Sequence, residues 1–242
     1  MRNLTAAIIG IAVVIAAALG AAAFRYKARG SETIVVTGLA ERDFVSDLAV
    51  WNGSYSRKSL ELPTAYAALK QDESTIRTFL RGRGVSDAEI VFSAAQINRE
   101  FNNRTNDNGA VISQEFTGYN LTQTVTVQSN DVNKVERLSR EATDIIQSGI
   151  EFNSAAPSYY YSKLADIKID LLGKASADAR NRAETIAKNS GSSLGAVRKA
   201  TMGVFQITGK NSNEDYSYGG AFNTSDKNKT GSITIRMEFA ID

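Results

Sequence analysis

Asp166 and Asp170 are the carboxylates whose spacing most invites a chemical reading. They stand four apart in a stretch that predicts a helix, close enough to share a proton or a cation. Acid–base chemistry of the glycosidase kind needs two carboxylates and neither histidine nor cysteine. Lys163 and Lys168 lie among them, however, and mixed charge along a helix is the pattern of a solvated face. We expect an exposed charged surface there. The remaining inventory is short, because the chain has no cysteine and no histidine. Thiol nucleophiles, disulfides, thiolate metal sites, the commonest general base and the usual zinc ligand are thereby removed. Gly38, Gly82, Gly84 and Gly118 do not make a phosphate loop, since none opens a strand-to-helix turn followed by Lys-Ser/Thr. No catalytic, cofactor-binding or metal-binding residue is assigned, and the chain is not expected to be an enzyme.

Three features could bind without catalysing. The run Tyr159, Tyr160 and Tyr161 could stack on a sugar or another ring, although tyrosines in a strand more often face a core or a neighbouring subunit. Trp51, the single tryptophan, suits an interface hot spot or the interior of its own strand. The stretch from Gly209 to Gly231, polar and holding Tyr216, Tyr218 and Phe222, is either a functional loop or a surface excursion.

The elements that must carry these features follow from periodicity. Ser31 to Arg42 reads as a strand and Phe44 to Ser59 as a second, with a bulge expected at Asn52-Gly53. Pro63 opens an amphipathic helix to about Arg81, ended by Gly82 and Gly84. Glu89 to Phe101 is extended, Asn102 to Gly109 is a hairpin tip, and Val111 to Gln128 returns with Leu121, Gln123, Val125 and Val127 alternating against threonines. A helix capped by Asn130-Asp131 sets Val132, Val135, Leu138, Ala142, Ile145 and Ile146 on one face and stops at Gly149. Ile150 to Tyr161 is extended. A long helix then covers Ser162 to Asn189, its inward stripe running from Leu164 and Ile167 through alanines to Ile186 and Ala187. Val197 to Ile207 and the terminal run through Ile233, Ile235, Met237, Phe239 and Ile241 are strands that should pair.

Ahead of this body, Leu4 to Phe24 is free of charge, and its 21 positions would make a helix of roughly 31 Å, enough for a hydrocarbon core of about 30 Å. A cleaved secretory signal and a retained anchor compete for it, since Ala21-Ala22-Ala23 offers a small-residue cleavage pattern. Its length, and Arg25, Lys27 and Arg29 directly after it, favour the anchor, with residues 1–30 as the membrane segment and 31–242 as the folded domain. We expect a cytoplasmic amino terminus and an exported body. Of 28 basic side chains, Arg2, Arg25, Lys27 and Arg29 flank this segment, leaving 24 against 26 acidic ones and a body near neutrality. A nucleic-acid partner, which needs a concentrated basic face, is not expected.

Order and local sequence together resemble the SIMPL-domain family of bacterial envelope proteins, described as periplasmic immunogenic or oxidative-stress-related. The resemblance rests on Thr37-Gly38-Leu39-Ala40, Leu80-Arg81-Gly82-Arg83-Gly84-Val85, Gly118-Tyr119, and the alanine-rich helix ending in Ser190-Gly191-Ser192-Ser193-Leu194-Gly195. It implies an exported α+β protein without established catalytic residues or cofactor, some members of which assemble into large ring-like homo-oligomers. The expectation is an α+β chain, an N-terminal transmembrane helix followed by a SIMPL-like body of antiparallel strands with three helices. It would be a single-pass protein of the bacterial inner membrane, its bilayer contact running from Leu4 to Phe24 and its periplasmic body self-associating as a scaffold. The alternative is a monomeric periplasmic binding or adaptor module for a small molecule or protein partner.

Overall fold

Two-residue alternation builds two antiparallel sheets, and each acquires its own helical cover. The computed structural model describes residues 10–11, 14–21, 32–106, 109, 111–215 and 217–241. The first sheet has the order β1–β10–β8, formed by Thr33–Val45, Asn228–Ile241 and Leu194–Met202, with β9 (Gln206–Gly209) also on β10. The second has the order β3–β5–β2–β6, formed by Ile90–Phe92, Val111–Ser129, Leu48–Ser59 and Phe152–Ser154. There β4 (Gln96–Thr105) pairs with β5, and β7 (Ser158–Tyr160) with β2. Helices α1 (Leu62–Gly82) and α2 (Val132–Glu141) serve the second sheet, and α3 (Leu164–Asn189) the first. The architecture is α+β with antiparallel sheets.

Alanine sets how α3 meets its sheet. Its buried stripe is Ile167, Leu171, Ala175, Ala179, Ala183 and Ala187, spaced by four, so the middle of the helix offers almost no side-chain height. Gly38 on β1 completes the fit, because a Cβ there would lie 2.1 Å from the Ala175 carbonyl oxygen and 2.6 Å from the Ala179 nitrogen. Helix and strand backbones touch. The other core gathers Trp51, Tyr55, Leu121 and Val125 under α1 and α2, and the two hydrophobic clusters share no residue.

Several expectations change in the folded chain. Asn52-Gly53 is not a bulge: β2 pairs with β5 without a shift from Ala49↔Ser129 to Ser59↔Tyr119. Gly53 is needed because a Cβ would sit 2.2 Å from Cζ of Phe152. The extended run from Glu89 to Phe101 is divided into a 3-10 turn at Asp87–Glu89, β3 and β4, with the break at Ser93, whose backbone and hydroxyl both bond Thr124. The second helix tightens to 3-10 pitch over Ala142–Ser148, which keeps Ile145 buried but turns Ile146 out to solvent. Ile186 of α3 likewise faces outward. Val197 to Ile207 is two strands, β8 and β9, both on β10 as expected of that segment. β10 is central, and its other side pairs with β1 from Thr33↔Ala240 to Val45↔Asn228.

Of Leu4 to Phe24, residues 10–11 and 14–21 are described and helical; the rest of that run, with Arg25, Lys27 and Arg29, lies outside the described residues, as does Tyr216. Among the described residues, no helix is long and apolar enough to cross a membrane.

A capping box joins α1 to β3 and carries a pH dependence. Ser86 donates to the Glu89 carboxylate from its backbone N–H and its hydroxyl, each at 2.9 Å, and Lys134 Nζ of α2 donates at 2.9 Å. Burial pushes this carboxyl up, but hydrogen bonds from Ser129, Lys134 and Ser86 outweigh it and hold the group at about 2. With the folded value below an unfolded one of about 4.3, its contribution is whole above that value and fades as pH falls toward about 2. The urea midpoints of wild type and Glu89→Gln should therefore differ most above about pH 5 and converge near about pH 2. A constant difference across that range would contradict the assignment.

Candidate functional site

β4 and the first half of β5 continue as a two-stranded arm beyond the last β2 pairing at Ser59↔Tyr119. Register sorts its side chains. Ile97, Arg99 and Phe101 alternate onto one face of β4, opposite Leu121, Tyr119 and Phe116. Phe116 and Tyr119 are three apart and would normally point to opposite faces. An extra residue on β5, Thr117, shifts the register between Glu100 and Phe101 and brings both rings to one side. Gly118 makes this possible with φ 137°, close against the Ser59 carbonyl. The result is a ladder with Phe101–Phe116 centroids at 5.7 Å and Phe116–Tyr119 at 5.1 Å, both edge-to-face.

The opposite face is polar, pairing Asn98 with Asn120, Asn102 with Glu115 and Arg104 with Ser113. Lys58 and Asn120 fasten the base through Glu100, and the Lys58 ammonium beside it holds that carboxyl below its usual range. On the apolar face Ile97 is 54% and Phe101 50% exposed, and Ile112 near the tip is 64% exposed. That face also carries Arg99 and the Asn103–Gln114 pair, so its apolar part is a patch around Phe101 and Phe116; a two-stranded ribbon is marginal alone in water, and such a patch gains from a cover.

The first sheet is covered on one face by α3 and presents Val35, Leu39, Arg236 and Glu238 on the other. Residues 210–215 and 217–227 border that face. They are held by Gln206, which donates to the Ser217 carbonyl at 2.8 Å and accepts from the backbone N–H of Ser217 and Ala221. Lys229, only 2% exposed, donates to the Asn223 carbonyl; burial pushes its ammonium down, against the pull of Asp226 and Glu214. Between this loop and the sheet lies a groove of about 540 Å³, lined by Leu39, Val204, Tyr218 and Ile233 among others.

The residues singled out from sequence do not meet in one place. Asp166 is exposed in the first turn of α3, and Asp170 is engaged by Arg42 at 3.1 Å and Lys174 at 2.9 Å, so the two aspartates form no shared site. Tyr159 is buried in β7, while Tyr160 and Tyr161 are half-buried and Tyr161 packs on Phe44 with centroids 4.8 Å apart, so one ring of the run is core and the three form no common exposed face. Trp51 is wholly buried and donates from Nε1 to Ser154 Oγ at 3.0 Å, so it is core and no hot spot of this surface. Sequence reasoning missed the arm's apolar face. Its signal was present in Ile97, Phe101, Phe116 and Tyr119, but reading it requires the bulge at Thr117.

No curated protein matches this chain. A family model does, and its span takes in nearly all of both sheets, helices α1 to α3, the arm and the loop. The chain belongs to the SIMPL family, described as a protein of unknown function (DUF541), through a match over residues 34–239.

Proposed function

We propose that this protein is a membrane-anchored, exported envelope protein that assembles with its own copies into a large ring-like scaffold. The observation that supports it is the arm, whose apolar face of Ile97, Phe101 and Phe116 is exposed in the single chain and suits burial against another. The anchor is the apolar run Leu4 to Phe24, with the body on the periplasmic side of the inner membrane. Tethers gathered in one particle would add membrane avidity without new contacts.

Full-length protein in detergent, examined by size exclusion with light scattering, should run as one large species. The double variant Phe101→Ser/Phe116→Ser should release subunits while leaving the thermal midpoint within a few degrees, since neither ring is core. A monodisperse wild-type monomer would overturn the assembly. Protease added to intact spheroplasts should digest the body; digestion only after lysis would overturn the topology.

The groove beside residues 210–227 favours a second reading, a monomeric periplasmic binding or adaptor module, because about 540 Å³ is room for a small apolar ligand. On that reading the protein stays monomeric, and shortening the loop removes binding of an apolar fluorescent dye while the body stays folded.

A further inference from the structure

The two edges of the first sheet are unlike, and each has what the other lacks. At β1 the backbone of α3 rests on the edge strand itself, at Gly38. A helix about 10 Å across, centred over a strand whose neighbour would lie about 4.8 Å away, overhangs the next strand position. Beneath the overhang is a cleft of about 550 Å³, lined by Val36 and Thr37 of β1 and by Asn181, Arg182, Thr185 and Ile186 of α3. At β8 the reverse holds. Val197 and Met202 lie on the helix side of the sheet, opposite Phe239 and Ile235, yet are 45% and 60% exposed because α3 does not reach them. One edge has a roof and no strand; the other has a strand and no roof.

Hydrogen-bond phase shows which backbone groups are open. The Ile241 N–H donates to the Glu32 carbonyl, which turns even-numbered β1 residues toward β10 and odd-numbered ones outward. Leu39, odd, indeed sends its N–H outward to Asp178 Oδ2 at 2.9 Å, and no partner among the described residues takes the groups of Val35 and Thr37. At β8 the Gly203 N–H donates to the Thr234 carbonyl, which turns Lys199 and Thr201 toward β10 and leaves Ala200 and Met202 facing out.

Since β1 and β8 both run antiparallel to β10, they are parallel to one another. Head-to-tail repetition of the molecule therefore brings β8 of one copy beside β1 of the next in parallel. In a parallel pair an outward-bonding residue lies opposite one that bonds the other way, with both side chains on one face. Thr37 and either Lys199 or Thr201 satisfy that condition, all on the face away from α3. Antiparallel joining of β8 to β1 would instead set the helix face of one copy level with the bare face of the next. Direction and face thus agree on one arrangement.

We infer that β8 of one copy adds to the β1 edge of a second copy as a parallel strand, sliding Val197, Ala200 and Met202 beneath the overhang of α3. The contact rests on the self-association reading above and gives it a mechanism. It is heterologous, each copy using a different edge on either side, so it closes into a ring if the rotation per step permits and otherwise continues as a filament.

The absence of cysteine makes the test clean. Full-length protein carrying Thr37→Cys together with Lys199→Cys, or with Thr201→Cys for the neighbouring register, should on oxidation give a ladder of covalent multimers for one of the two pairs. Each single-cysteine protein alone should give none. A single variant that links to itself would mean that like edges meet, and overturns the proposal. So does a large particle by light scattering in which neither pair links, an outcome that leaves the scaffold reading standing. A monomer by light scattering overturns both. Ala200→Pro gives an independent check, because it deletes an outward N–H that β10 does not use. It should shift the particle to subunits with an unchanged thermal midpoint, and an intact particle would count against the strand pairing.

Discussion

Gly38→Ala should strip about 3 kcal/mol or more from the unit formed by the first sheet and α3, the upper end of what an added methyl costs in a filled interior. The obstacle is backbone. The new Cβ would meet the Ala175 carbonyl oxygen at 2.1 Å and the Ala179 nitrogen at 2.6 Å, and neither atom can rotate away as a side chain would. To make room the helix must lift, and lifting breaks the contact of all six residues of its buried stripe, from Ile167 to Ala187. A domain is stable by only about 5–15 kcal/mol, so the urea midpoint followed by helical circular dichroism should fall steeply. Gly173 in the same helix supplies the control. It is exposed with nothing within 4 Å of its would-be Cβ, and Gly173→Ala should stabilise by about 0.5–1 kcal/mol through helix propensity. Equal effects of the two substitutions would refute the close-approach account.

That contrast also marks what a sequence can carry. Alternation along β5 and the four-residue stripe of α3 are local, and each identifies its element and its buried face unaided. Why the stripe is alanine is not local, because the answer is Gly38, well over a hundred residues earlier. Asn52-Gly53 has the composition of a turn, but Phe152 decides the glycine's use by filling the space of its missing side chain. The pairing of β1 with β10 joins the two ends of the folded chain, and nothing in either strand names the other.

The arm was legible as a hairpin and illegible as a surface. Spacing alone puts Phe116 and Tyr119 on opposite faces; one inserted residue, permitted by the unusual backbone of Gly118, reverses that. Three consecutive tyrosines in a strand suit a core or a neighbouring subunit better than a binding patch, but only the pairing of β7 with β2 shows that Tyr159 is the one taken inside. Composition leaves the polar stretch from Gly209 to Gly231 open between a functional loop and a surface excursion, and it does not disclose that Gln206 holds it from the side.

Trp51→Ala should produce the second large loss, about 3–5 kcal/mol, and it should fall on the other core. Trp51 has no exposed surface, lies 6.0 Å from the Phe152 ring between centroids, and shares that ring with Tyr55. Its indole N–H also begins a relay, donating to Ser154 Oγ, which donates in turn to the Ser139 carbonyl of α2 at 2.7 Å. Truncation removes the bulk that separates sheet from helix and one of the hydrogen bonds that join them. Trp51→Phe keeps most of the bulk and loses only the N–H, so it should cost about 1–2 kcal/mol. The two halves meet through the Tyr159 N–H on the Thr224 carbonyl at 2.7 Å, the Asp47 carboxylate on the Ser162 N–H and hydroxyl beside the Phe44–Tyr161 contact of the first core, and Lys227 on Asn133 and Glu136. With no residue common to the two clusters, the losses from Gly38→Ala and Trp51→Ala should fall on different cooperative units. In the Gly38→Ala protein the fluorescence of Trp51, the only tryptophan, should therefore hold its native value at urea concentrations where the signal of α3 is already lost. Coincident transitions in that variant would show instead that the junction around Asp47 and Tyr161 binds the two sheets into a single folding unit.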